Sequence, residues 1–141
     1  MSVQLENNIY NILSSTKLQT IHKYQYIHYN INLNFIDFMV ITNNFIICVY
    51  SNYIEQYIDE FLKEIFTVQQ YFQKPVLGIY MTFFKIPNFD EQKISHINKQ
   101  GYNKIINIYN SDINILSQKF LNKLYAHNIY CYDNSGDCIM I

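Results

Sequence analysis

The chain has 141 residues, a hydrophobic fraction of 50%, a charged fraction of 15% and a formal net charge of −1. That length fits one domain, able to bury roughly 70% of its unfolded surface without a metal or disulfide, and the composition excludes a disordered chain. Its near-neutral charge excludes a bulk electrostatic pull toward nucleic acid or an anionic membrane. All ten of its basic residues are Lys, so the planar fork that grips phosphate in bidentate fashion is absent. There are 24 Ile, 18 Asn and 14 Tyr but one Ala and no Trp. The enriched residues have AT-rich codons, so Tyr and Asn abundance reflects base composition before it reflects a binding surface.

Residues 2–14 read as a short helix, with Leu5, Ile9 and Ile12/Leu13 at helical spacing and Ser2 as its cap. Residues 1–22 as a whole read as an N-terminal helical extension. From Ile27 to Phe35 the pattern turns to period two: Ile27, Tyr29, Ile31, Leu33 and Phe35 alternate with His28, Asn30, Asn32 and Asn34. This predicts a half-buried strand. After Asp37, the runs Phe38–Ile41 and Phe45–Tyr50 flank Asn43-Asn44, the signature of a hairpin.

Asn52-x-x-Glu55 reads as a capping box opening the main helix, about residues 52–72. Ile54, Ile58, Phe61/Leu62, Ile65 and Val68/Phe72 line its apolar face. Pro75 ends the connection, and Val76–Phe84 is apolar enough for a strand buried on both sides. Asn88-x-x-Glu91 after Pro87 reads as a second capping box, with a short helix running to about Lys99 and closed by Gly101. Lys104–Tyr109 is a strand. Ser111 or Asp112 caps a last helix with the stripe Ile113, Leu116, Phe120 and Leu124. Ile129–Tyr132 and Cys138–Ile141 read as a final strand pair around Asn134-Ser135-Gly136. The order predicts a single α/β domain over residues 1–141, with a mixed, mostly parallel sheet, an N-terminal antiparallel hairpin and three or four helices on one or both faces.

This order of elements over Phe38–Asn134 resembles a STAS-type domain, the fold of anti-sigma-factor antagonists. The resemblance implies a partner-binding role. In that family a phosphorylatable Ser or Thr sits where the third strand enters its helix, in an Asp-Ser-Ser-Gly-like run. The corresponding stretch here is Thr82-Phe83-Phe84-Lys85-Ile86-Pro87-Asn88-Phe89-Asp90, which has no Ser and no Gly. The chain departs from the family's switch at that point.

The chemistry-bearing residues are dispersed. His127, Cys131 and Cys138 are the nearest approach to a metal cluster, but zinc sites use closer Cys pairs and four ligands. Ordinary thiols, a cross-strand disulfide under oxidation and a metal all remain open readings of this hairpin. Asp133-Asn134-Ser135-Gly136-Asp137 alternates oxygen donors as a calcium loop does, yet its Gly is early and no bidentate Glu comes after it, so it reads as a turn. Cys48 sits in an apolar run, where a thiol is an inert hydrophobe. His22, His28 and His96 have no partner in sequence. Gly78, Gly101 and Gly136 are isolated, so no glycine-rich phosphate loop exists and no cofactor is expected. Lys93, Lys99, Lys104, Lys119 and Lys123 concentrate in the second half, but without Arg they do not predict nucleic-acid binding.

Two features point to a protein partner. Glu55, Asp59, Glu60 and Glu64 form an acidic ridge on the main helix, which is either a solvated face or a contact for a basic partner. The terminal strand Cys138-Ile139-Met140-Ile141 ends apolar and uncharged, and edges of that kind recruit a partner or a second copy. The leading expectation is therefore a small non-catalytic interaction or regulatory module, such as an accessory, antagonist or immunity- or antitoxin-like protein, either homodimeric or bound to another protein. The alternative is a small hydrolase or nuclease whose site assembles at strand ends from Asp90, Asp112 and His96, with Asp37 nearby. No apolar run is long enough to cross a bilayer. The odd Cys count, with no leader pattern in Met1–Glu6, predicts a reducing, cytoplasmic setting.

Overall fold

A computed structural model describes residues 3–87, 89, 97–98 and 101–139. The chain forms the expected α/β domain around a five-stranded mixed sheet of order β1-β2-β3-β4-β7. The strands are β1 (Gln19–His22), β2 (Phe38–Ile41), β3 (Ile46–Tyr53), β4 (Val76–Thr82) and β7 (Lys104–Tyr109); β5 (Ile97–Asn98) and β6 (Gly101–Tyr102) pair separately as a small antiparallel ribbon. β1, β2 and β3 are antiparallel neighbours, whereas β3–β4 and β4–β7 are parallel. Helices α1 (Val3–Ser14), α2 (Ile58–Phe72) and α3 (Ile113–Ala126) cover the two faces.

Burial follows from side-chain alternation. Val40, Ile47, Ile79 and Ile106 point to the face covered by Leu5, Ile9 and Leu13 of α1 and by Leu116, Phe120 and Leu124 of α3. Met39, Cys48, Tyr80 and Ile105 point to the opposite face, under Phe61, Ile65 and Val68 of α2. All seven residues of β4 are buried, as its unbroken apolar run predicts. Gly78 permits this packing: a side-chain carbon there would lie 3.0 Å from Ile105 and 3.1 Å from both Ile65 and Phe61.

Four expectations change. The strand expected at 27–35 is instead a 3-10 turn, Lys23–Tyr29, closed by Asn30 in the left-handed region (φ 53°), and then a loop. Ile27, assigned to the buried face, is 78% exposed. The missing ladder positions are filled by β1, whose single buried residue, Ile21, gives no periodic signal. The Asn52–Glu55 capping box does not form, because Asn52 is still within β3 and a 3-10 turn, Glu55–Tyr57, precedes α2 without a side-chain cap. The second capping box, Asn88 to Glu91, lies outside the described residues; within the span expected to be its helix, the described Ile97–Asn98 is a strand paired with Gly101–Tyr102.

The terminal strand pair reduces to one bridge, Tyr132 with Cys138, outside the main sheet. Ile139 donates its N–H to the Cys131 carbonyl at 2.9 Å and packs against the α1–α3 core. Cys138 and Ile139 are therefore not an edge of the sheet. Met140 and Ile141 lie outside the described residues.

Candidate functional site

Two regions of polar chemistry flank the sheet at opposite edges. The first gathers at β1. Asp37 precedes β2 and is 5% exposed. Its Oδ2 accepts the Ser51 N–H at 2.7 Å and the Ser51 hydroxyl at 3.0 Å, and its Oδ1 lies 3.4 Å from Lys23 Nζ. Lys23 Nζ also reaches Glu6 Oε1 of α1 at 3.0 Å, and His22 Nε2 lies 3.3 Å from the same oxygen. The His22 ring stacks on Phe38 at 4.6 Å.

Burial pushes the Asp37 carboxyl up, while Ser51 and Lys23 pull it part of the way back. Burial also works to raise Glu6, but hydrogen bonds from Lys23 and His22 outweigh it and hold the carboxyl below its usual range. Lys23 is raised: desolvation opposes its charge, and Glu6 and Asp37 more than compensate. A small cavity of about 110 Å³ lies beside Glu6, Lys23, Asp37, Ser51 and Asn52. Every carboxylate oxygen of Asp37 already has a protein partner, and Ser51 donates to a carboxylate rather than to a histidine base. The cluster ties α1, β1, β2 and β3 together.

The second region is the outer side of β7. Among the described residues no strand pairs with this side, since the sheet order ends at β7. A groove of about 300 Å³ runs between Asn107, Ile108 and Tyr109 of this strand and Lys119, Asn122 and Lys123 of α3. α3 lies there because Asp112 caps it, accepting the N–H groups of Asn114 at 2.8 Å and Ile115 at 3.2 Å, and because Leu116, Phe120 and Leu124 bury its apolar stripe. Lys119 bonds the Tyr109 carbonyl at 3.1 Å and sits 5.3 Å from that ring's centroid. Neither Lys119 nor Lys123 forms an ion pair with a described residue. Lys104 is exposed at the start of the same strand.

The residues expected from sequence fall in several places. Of the acidic ridge, Glu55 and Asp59 are exposed and Glu60 is half-buried. Glu64 is committed to the fold: its Oε2 accepts the Asn34 N–H at 2.7 Å, and its Oε1 accepts those of Phe35 and Ile36 at 2.7 and 3.1 Å. Burial raises its carboxyl, and these three donors oppose that rise. The four residues do not act as one free patch. Asp112 caps α3 with its carboxylate, while Asp90 and His96 lie outside the described residues.

His127 Nδ1 lies 2.9 Å from the Lys123 carbonyl, and the Cys131 thiol points to the Ile12 carbonyl at 3.4 Å. Cys138 is exposed, and all three Cys are free thiols. Burial pushes the Cys48 thiol well above its ordinary value and, together with the charge of Cys138, lifts Cys131 to about 11, so neither is an activated nucleophile. Among the described residues, no group of three or more His, Cys, Asp or Glu could share a metal ion, and no helix is long and apolar enough to cross a membrane.

Sequence reasoning missed β7 as an edge. The strand itself is evident from Lys104-Ile105-Ile106-Asn107-Ile108-Tyr109, but its place in the sheet depends on strand order. No family model, curated protein or solved structure matches the chain.

Proposed function

We propose that the protein is a non-catalytic interaction module that binds another protein by adding an extended segment of it to the outer side of β7. The observation carrying this reading is a six-residue parallel strand with no described neighbour on its outer side, bordered by a groove rather than by packed side chains. Unpaired backbone N–H and C=O groups on such a strand are a template for a further strand, and the groove gives the incoming side chains a place to sit. An accessory, antagonist or immunity-like role fits this mode of binding, and the STAS-type resemblance implies the same class of work. A second copy is the less suitable occupant, because joining two β7 edges sets one lysine-flanked groove against another.

The hydrolase alternative has one favourable observation, the buried Asp37 carboxyl beside Lys23 and Ser51. Its partners are saturated, so it serves the fold better than it serves a reaction.

Selection of displayed random peptides on the purified protein tests the binding reading, together with mapping of amide shift changes for the enriched peptides. Enriched peptides that perturb residues 104–109 and 119–126 support it. Enrichment that maps to α2 or to the Asp37 cavity contradicts it.

A further inference from the structure

The groove along β7 is charged on one side only, and this deepens the strand-addition reading, on which it rests. α3 carries Lys119 and Lys123 and no carboxylate, β7 carries Lys104 and no carboxylate, and the single acid between Lys104 and Ala126 is Asp112. The Asp112 carboxylate is occupied by two backbone donors of its own helix. Lys23, at the other edge, is neutralised by Glu6 and Asp37. In a chain whose net charge is −1, the lysines beside β7 are a local positive strip with no internal counterion among the described residues.

We propose that the segment added to β7 is acidic, an extended stretch in which Asp or Glu alternates with apolar residues. Alternation is required by strand geometry: successive side chains of an added strand point to opposite faces. On the α3 face the acidic side chains meet Lys119 and Lys123, and on the other face the apolar ones lie along the sheet. Lys119 is held in position by the Tyr109 carbonyl and ring, so less side-chain entropy is lost when a carboxylate arrives. Lysine rather than arginine suits a partner recognised by charge and strand register rather than by bidentate phosphate geometry.

The test uses five synthetic peptides of about ten residues, enough to span β7 with overhang. One alternates valine with glutamate, one valine with glutamine, one valine with lysine, and the last two are the acidic peptide N-methylated at alternate backbone nitrogens, one in each register. Binding is read by fluorescence anisotropy at low and at high salt. The acidic peptide is expected to bind most tightly, to weaken with salt, and to weaken about tenfold or more in the K119E/K123E double variant. The K17E/K63E variant carries the same charge change away from the groove and is expected to bind as the parent does.

Equal binding of the glutamine and glutamate peptides overturns the acidic preference and leaves strand addition standing. Binding of both N-methylated peptides as tightly as the unmethylated acidic peptide overturns strand addition itself. Failure of all five peptides overturns both, as does tighter binding of a single-stranded oligonucleotide through the same lysines.

Discussion

The two edges of the sheet use charge in opposite ways. At β1, Lys23 is consumed by Glu6 and Asp37, His22 by Glu6 and Phe38, and the strand is four residues long. At β7, the strand is six residues long and its neighbouring lysines have no carboxylate partner among the described residues. A short edge whose charges are spent internally is a closed one; a longer edge whose charges are left over can take a partner. The lesson is that polar side chains built into a fold's stability are poor candidates for function, however suggestive they look. Asp37 with Lys23 and Ser51 resembles a catalytic grouping and acts as a clasp, while Lys119, bonded to the Tyr109 carbonyl, and Lys123 have no carboxylate partner among the described residues.

That contrast predicts opposite mutational behaviour at the two edges. The largest effect is expected from Asp37→Ala, which strands the buried Ser51 donors and removes one partner of Lys23. It should cost about 3 kcal/mol of unfolding free energy in urea titrations. A loss below about 1 kcal/mol would mean that the β1 cluster is not a clasp. Glu64→Ala comes next. Three backbone N–H groups at 34–36 lose their acceptor, and a loss of about 2 kcal/mol is expected, with faster amide exchange confined to that loop.

A pH series sharpens the β1 side further. The Glu6 carboxyl is held below its ordinary value in the folded state, so its contribution is fully present above the unfolded pKa of about 4.5. It is lost as pH falls through the lower, folded value. Asp37 and Glu64, which are raised, act in the opposite sense: ionising them on the way up costs stability. The informative quantity is therefore the stability difference between the parent and Glu6→Gln. It should shrink as pH drops below about 4.5, and a pH-independent difference would show that the Glu6 charge plays no part in holding α1. The smallest stability effect belongs to the other edge: K119E/K123E should change unfolding free energy by no more than about 0.5 kcal/mol, although it is the variant expected to lose peptide binding.

Much of this architecture could be read before the structure. α3 and the buried face of α2 follow from apolar period, and β4, β7 and the β2–β3 hairpin follow from short apolar runs that the sheet buries. Asp112 also caps α3 as its position suggests. The reading failed where tertiary groups replaced local signals. The alternation at 27–35 imitates a strand, yet Glu64 and the Tyr26 hydroxyl, which donates to the Ile36 carbonyl at 2.6 Å, hold this stretch as a turn and loop. β1 has too little apolar periodicity to be noticed.

Two residues expected at interaction surfaces are engaged within the fold instead. Glu64 left the acidic ridge to satisfy a loop thirty residues away in sequence, and Ile139 packs against the core rather than forming an exposed edge. The principle that open edges attract partners was legible; which strand would be the edge was not, since strand order is a property of the assembled sheet.

The most direct test of the open edge is amide hydrogen exchange across residues 104–109 of the free protein, repeated with the acidic peptide. A strand bonded on one side only has alternate N–H groups facing outward. The account predicts alternating protected and fast-exchanging amides in β7, with the fast set slowed when peptide binds. Uniform protection along β7 in the free protein, or peptide-induced protection located elsewhere, would contradict it.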